Sequence, residues 1–309
     1  MSTGITRLSL LDLDARPDKF RRQFVAGLRE HGFVILRDHA INRQHLDQAY
    51  ELLRAFFDLP ERTKLKYDSG SGGERGYIAF GRENAKGNPY SDLKEFWHIG
   101  PDVAKKSPYF GVYAHNLWPE EIPQFKHCFK ALYGELEQLG KLLLEAVGTE
   151  LGVNKNFFRD MVTDGQSILR LLHYPGLKGL DTVNAMRAAP HADINLLTLL
   201  VGATDSGLEL YDRRGNWLPV ECEAAEIVLD TGDMMSRLTN DVLPSTIHRV
   251  VNPQGKNDSR YSMPFFLHPH SQASLDCLPQ CVGADGPRYS PITAGEFLRQ
   301  RLMEIGLTY

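Results

Sequence analysis

The sequence predicts an α+β protein: a mainly helical N-terminal half followed by an antiparallel β-sandwich or barrel, hence a jelly roll. Three observations carry this. Apolar residues recur three or four apart through most of the first half. From about Ser167 the pattern changes to short runs of strand length, divided by turn residues and without helices between them. From Ser290 a helical pattern returns.

Taken in order, Phe20, Phe24, Val25 and Leu28 follow Pro17, a suitable first-turn proline, and predict the first helix. Gly32-Phe-Val-Ile-Leu36 is an apolar run of strand length. Asn42 can cap a second helix with the stripe Leu46, Tyr50, Leu53 and Phe57, which stops at Pro60. A longer helix carries Phe125, Phe129, Leu132, Leu136, Leu139 and Leu143. Between them residues 69–88 are polar and glycine-rich. No Lys-Ser/Thr follows these glycines, and the third glycine of a dinucleotide fingerprint would fall on Arg75, so a surface loop is expected rather than a phosphate cradle. Strands are expected over 167–174, 191–200, 207–211, 227–229, 246–251 and 261–267. Turn chemistry at Arg213-Arg-Gly-Asn216, Thr231-Gly-Asp233 and Asn252-Pro-Gln-Gly-Lys-Asn257 separates several of them. Thr293 and Glu296 have capping-box spacing at the head of a last helix over 290–307.

The 309 residues carry 35 Lys+Arg against 39 Asp+Glu, a net charge of −4, with 42% hydrophobic and 24% charged residues. This is an ordinary globular balance. Without a Lys/Arg block it argues against nucleic-acid and anionic-membrane partners. No apolar run approaches the ~20 residues of a membrane span. Asp12 and Asp14 come too early for a signal peptide. Cys128, Cys222, Cys277 and Cys281 are too few and too scattered for a disulfide framework, so a cytoplasmic protein is expected.

The chemistry concentrates in His191, Asp193, His248, Arg260 and Ser262. A His-x-Asp pair means little alone, and the chain holds two. His45 and Asp47 lie in a helical pattern, where positions two apart point to nearly opposite sides. His191 and Asp193 lie in a strand pattern, where they share a face. Only the second pair can chelate. His248, flanked by β-branched residues, is the best third ligand. Two imidazoles and one carboxylate form the facial triad of non-haem Fe(II) oxygenases, with coordination positions left open. A closed zinc site would want a fourth ligand, usually Cys. Arg260 and Ser262, again on one strand face, suit a carboxylate in a barrel mouth. His268-Pro-His270 is a rival ligand pair without a carboxylate, and Cys277-Leu-Pro-Gln-Cys281 lacks zinc-knuckle spacing. The Tyr77, Arg82, Asn88 and Trp97 neighbourhood is a candidate substrate mouth.

In this order the motifs resemble the non-haem iron, 2-oxoglutarate-dependent dioxygenases, in the branch that includes isopenicillin N synthase. The resemblance covers nearly the whole chain: Gly32-Phe-Val-Ile-Leu-Arg-Asp-His-Ala-Ile41, Leu59-Pro60, Gly76-Tyr77, Asp92-Leu-Lys-Glu-Phe96, His191-Ala-Asp193, Thr231-Gly-Asp233, His248-Arg-Val250 and Arg260-Tyr-Ser-Met-Pro-Phe-Phe266. It implies a double-stranded β-helix core over 166–270, an N-terminal module over 1–120, a linking helix over 121–165 and a C-terminal loop and helix over 271–309. It implies Fe(II) on His191, Asp193 and His248, and 2-oxoglutarate on Arg260 and Ser262 with help from Tyr174. The expected reaction oxidises a small molecule with O2, giving succinate and CO2, with ascorbate as a possible added reductant. Many members have Asn where Leu172 stands, Tyr where His173 stands and Asn where Asp230 stands; Asp230 is read as structural. The alternatives are an iron oxidase of the isopenicillin N synthase type that uses no keto acid, and a non-catalytic metal-binding jelly roll.

Overall fold

The computed structural model describes residues 4–70, 74–84, 88–180, 182–254 and 258–304. The N-terminal half contains β1 (Thr6–Ser9), α1 (Leu11–Ala15), α2 (Pro17–His31), β2 (Phe33–Arg37), α3 (Arg43–Phe57), α4 (Glu61–Lys64), β3 (Gly76–Ile78), β4 (Glu95–Ile99), α5 (Gln124–Glu150) and α6 (Phe157–Val162). The second half contains β5 (Ile168–Tyr174), β6 (Ala188–His191), β7 (Leu197–Val201), β8 (Leu208–Tyr211), β9 (Trp217–Pro219), β10 (Ile227–Thr231), α7 (Asp233–Leu238), β11 (His248–Val250), β12 (Arg260–Leu267) and α8 (Ala294–Glu304). Pro17 opens α2 and Gly32, with φ +68°, closes it. Asn42 caps α3 by accepting from the Gln44 N–H. Thr293 and Glu296 form the expected capping box of α8.

Two sheets face each other as a double-stranded β-helix. The larger runs β1-β2-β10-β7-β12-β5-β4-β3 and the smaller β6-β11-β8-β9. Period-2 alternation splits the apolar residues into two layers. Outward residues of the large sheet, such as Leu199, Leu229, Met263 and Phe265, pack with the helices, including Phe125, Phe129 and Leu132 of α5. Inward residues, including Phe33, Phe96, Leu172, Leu210, Val228 and Val250, fill the space between the sheets. The metal-site candidates stand at the end of that inner layer.

Several sequence expectations change. The strand expected over 191–200 is two strands in different sheets, β6 and β7, with an irregular segment between them. Strands β1, β3, β4 and β9 and helix α7 carried no strong pattern. The glycine-rich stretch is not simply surface. Arg75 is buried against Gly100, where a Cβ would fall 2.0 Å from the Arg75 guanidinium carbon, and Gly76–Ile78 pairs with β4. Residues 71–73 and 85–87 of that stretch, 255–257 of the expected turn and 305–307 of the expected last helix lie outside the described residues.

Candidate metal centre

Strands β6 and β11 lie side by side with His191 opposite His248, and their rings are 4.4 Å apart between centroids. Asp193 Oδ1 lies 4.0 Å from His191 Nε2 and 3.7 Å from His248 Nε2. One ligand atom from each residue falls within 4.8 Å of the others. Among the described residues no other group of three His, Cys, Asp or Glu comes this close. His191 Nδ1 is 2.7 Å from the Ala189 carbonyl, and His248 Nδ1 is 3.1 Å from the Thr246 carbonyl. A carbonyl only accepts, so each Nδ1 carries the hydrogen and each Nε2 keeps its lone pair for a metal. Burial, and then the neighbouring His248, hold His191 down to about 4 against the pull of Asp193. It is neutral at ordinary pH, as a ligand must be. Two imidazole nitrogens and one carboxylate oxygen, with no cysteine, fit a non-haem Fe(II) triad better than a closed zinc site.

The local account of Asp193 needs correction. It does not share a strand face with His191, because β6 ends at His191. Instead, segment 192–196 docks on the start of α7. Its Asp193, Ile194 and Asn195 carbonyls accept from the Asp233 and Met234 N–H groups at 2.8, 3.1 and 3.2 Å. Those donors have no partner within the helix, so the docking satisfies both sides and outcompetes continued pairing. Thr198 Oγ1 donates to Asp193 Oδ2 and accepts from Asn195 Nδ2 at 3.0 Å. Asp230, opposite Thr198 on β10, is in hydrogen-bond contact with both Asp193 and Thr198. Burial, and then the Asp193 charge, push its carboxyl well above the usual range. Protonated Asp230 can therefore donate to Asp193. Asp230, read from the sequence as structural, touches a candidate ligand, and sequence reasoning missed Thr198 and Asn195. Their signal was faint: polar side chains at or beside inward positions of otherwise apolar strands.

At the other end of the inner layer, Arg260 opens β12 directly opposite Tyr174 of β5. Its guanidinium lies 5.0 Å from the Tyr174 ring centroid, its Nη1 3.3 Å from Ser262 Oγ and its Nε 3.0 Å from the Asp205 carbonyl. All three expected residues meet. Sequence reasoning missed Arg187, a fully buried side chain whose Nη1 reaches the Asp205 carboxylate at 3.2 Å and whose Nη2 donates to the Asp258 carbonyl at 2.6 Å. Asp205 thus receives one arginine on its side chain and the other on its backbone. Leu172 pairs with Ser262 in the apolar inner layer, and His173 points the opposite way, toward Glu95.

The remaining candidates separate. His45 lies in α3 and contacts Glu135 and the Cys128 carbonyl, while Asp47 pairs with Arg43. His268 and His270 both lie beyond β12, and His270 meets Tyr109 at 2.9 Å. Tyr77 and Trp97 are core residues rather than a mouth: Tyr77 donates to Glu95, and Trp97 packs on Phe56 and Phe125. All four cysteines are free.

Fold and site together define a double-stranded β-helix with a His-Asp-His cluster and a buried arginine, the class of the non-haem metal oxygenases. Residues 5–121 match the family described as non-haem dioxygenase in morphine synthesis N-terminal, and residues 165–269 match the 2OG-Fe(II) oxygenase superfamily. A 2-oxoglutarate-Fe(II) type oxidoreductase of Metarhizium rileyi is 31% identical, over 94% of this chain and 86% of its own length. A 2-oxoglutarate-dependent dioxygenase of Aspergillus rugulosus is 30% identical, over 94% of each chain. Among solved structures, a 2OG-Fe(II) oxygenase family protein from Caulobacter crescentus superposes with a TM-score of 0.90 at 45% identity, covering 98% of this chain and all of the other. A full-length Neurospora crassa protein, solved in complex with α-KG and thymine, gives 0.84 at 25% identity, covering 98% of each. The chain belongs to the 2OG-Fe(II) oxygenase superfamily. It is a dioxygenase, an oxidoreductase that works with Fe(II), 2-oxoglutarate and O2.

Proposed function

We propose that His191, Asp193 and His248 hold the Fe(II), that Arg260, Ser262 and Tyr174 hold the distal carboxylate of 2-oxoglutarate, and that the substrate is a small molecule oxidised beside them. The observation that carries this reading is the convergence of two oriented Nε2 lone pairs and one carboxylate at one end of the inner layer, with a buried guanidinium and hydroxyl at the other. When bound, the metal supplies the chemistry of O2 activation, coupled to loss of CO2 from the keto acid. The protein's part is positional. The Ala189 and Thr246 carbonyls fix the two imidazoles, Thr198 and Asp230 fix Asp193, and the Asp205 carbonyl aims Arg260. Leu172 and Phe96 keep the inner layer apolar.

The matching N-terminal motifs support placing the chain in the branch that includes isopenicillin N synthase. Four free cysteines support a reducing, cytoplasmic setting. No helix among the described residues is long and apolar enough to cross a membrane. The direct test is an anaerobic titration of metal-free protein with Fe(II) and then 2-oxoglutarate, followed by the weak visible charge-transfer band of an iron–keto-acid chelate. A band that forms and is weakened by Arg260→Ala supports the assignment. Iron binding with no band would count against these residues as the keto-acid site.

A further inference from the structure

On the face of β5 that turns away from the inner layer, three side chains from distant parts of the chain line up. His173 Nδ1 lies 2.7 Å from Glu95 Oε1 of β4, and His173 Nε2 lies 3.2 Å from the Ser259 hydroxyl oxygen, just before β12. A carboxylate only accepts, so Nδ1 carries the hydrogen and Nε2 is left as an acceptor for the Ser259 O–H. The imidazole is held in place by rings: it stacks on Tyr261 with centroids 4.7 Å apart and planes 9° apart, and it meets Phe57 at 5.2 Å. Glu95 is fixed in turn. Lys64 Nζ reaches its Oε2 at 2.7 Å, and the Tyr77 hydroxyl donates to the same oxygen. Burial works against the Glu95 carboxylate, but the bonds from His173, Lys64 and Tyr77 outweigh it and hold the group below its ordinary range, ionised at neutral pH.

A hydroxyl, an imidazole base and a carboxylate in this order are the working parts of a serine nucleophile. Glu95 and His173 are buried, whereas Ser259 is exposed and lines an open cavity of about 740 Å³ together with Tyr261 and Arg54. The Ser259–His173 bond therefore ends at a solvated hydroxyl, where a hydrogen bond contributes only about 1 kcal/mol to stability. Nor does the fold itself call for a base here: many members of the family have Tyr where His173 stands, and a phenol is no base at neutral pH. We propose that Ser259, His173 and Glu95 form a second active site, separate from the metal centre, that hydrolyses neutral carboxylic esters.

The reaction balances within these residues, the ester and water. Ser259 Oγ attacks the ester carbonyl carbon while its proton passes to His173 Nε2. The C–O bond to the leaving alcohol then breaks, and the alcohol takes that proton. Water, deprotonated by the freed Nε2, attacks the acyl carbon. The bond from that carbon to Ser259 Oγ breaks, Oγ regains the proton from Nε2, and the carboxylic acid departs. Glu95 keeps Nδ1 protonated and faces the imidazolium that forms. The Tyr261 hydroxyl is in hydrogen-bond contact with Ser259, and burial raises it above its ordinary value, so it stays a donor for the carbonyl oxygen as that oxygen gains charge. The class of ester follows from the charge of the cavity. Asp205 and Glu209 pair with Arg187 and Arg249, which leaves Glu221 and Asp258 against Arg54 among the described residues that line it. An acidic ester meets net repulsion there.

The experiment follows nitrophenolate release from p-nitrophenyl acetate by protein loaded with Fe(II) and 2-oxoglutarate under argon, and again after EDTA. The same steady release is expected in both conditions. Ser259→Ala and His173→Tyr are each expected to lower it at least about 100-fold, the lower end of what general-base catalysis contributes. Neither residue touches the metal or keto-acid groups, so both variants should keep the iron–keto-acid band, which reports that they fold. p-Nitrophenyl hemisuccinate, the anionic counterpart, is expected to react about tenfold more slowly. Diisopropyl fluorophosphate, whose phosphorus bonds to Oγ as fluoride leaves, should label Ser259 in the wild-type protein but not in His173→Tyr, as read by peptide mass mapping. Release that disappears with EDTA, unchanged release in either variant, or a label on another residue overturns the proposal. A preference for the hemisuccinate overturns the class of ester. If a variant loses the band, labelling of wild-type Ser259 decides.

Discussion

A single carboxylate decides whether the inner layer can hold a metal. Asp193→Ala removes one of three ligands while the strands on either side keep their pairing, so stoichiometric Fe(II) binding should be lost with little change in the thermal unfolding curve. Retained stoichiometric iron would sink the ligand assignment. His45→Ala, which alters the other His-x-Asp pair, should leave iron content untouched. Arg260→Ala removes a charge-assisted contact worth about 1.5–3 kcal/mol, so 2-oxoglutarate affinity should fall by roughly 10- to 100-fold with iron affinity unaffected; titration of the chelate band reads both. His268 is a separate case. Burial holds it down to about 4 from an ordinary 6.5. Between those values the unfolded chain takes a proton that the folded chain refuses, so its contribution to stability is full above about 6.5 and is lost as pH falls toward 4. The melting temperature of metal-free protein should drop across that window, and His268→Asn should flatten the drop. His191 acts in the same direction, so part of the fall should persist in the variant.

At the scale of elements, the junction between segment 192–196 and α7 places Asp193. Gly232 makes the junction possible: a Cβ there would lie 2.4 Å from the Asn195 carbonyl oxygen, a contact between backbones that no rotamer can relieve. Gly232→Ala should therefore push α7 away from the Asp193 segment, lowering the melting temperature and weakening Fe(II) binding together, as measured by calorimetry and iron titration. A variant that melts lower but binds iron normally would show that Asp193 is held without α7. The sequence signalled a turn at Thr231-Gly-Asp233, yet a six-residue helix and a docked loop are too short to show a period. By contrast α2, α3 and α5 were legible because each runs 15 residues or more with an unbroken apolar stripe.

Across the whole molecule, strands from the first 120 residues extend the sheet that carries Arg260. β2 pairs with β10, and β4 pairs with β5. Buried Lys64 and Tyr77 converge on Glu95, which also meets His173 of β5, so the helical half is tied to the barrel by charge as well as by packing. A fragment starting at residue 121 would leave two such edges unpaired and strip the outer apolar layer, and it should not fold as a soluble monomer. A sharp cooperative melt from that fragment would show otherwise. The sequence by itself determined the long helices and several strands of the second half in order, the jelly-roll class, and the identity of His191, Asp193, His248, Arg260, Ser262 and Tyr174 as candidates, because residue type and local period are written along the chain. Tertiary structure alone decided that Asp193 sits beyond a strand end on α7, that Asp230 and Thr198 brace it, and that Glu95, His173 and Ser259 meet in one line. Those neighbours lie far apart in sequence, and only strand register and the closing of two sheets bring them within bonding distance.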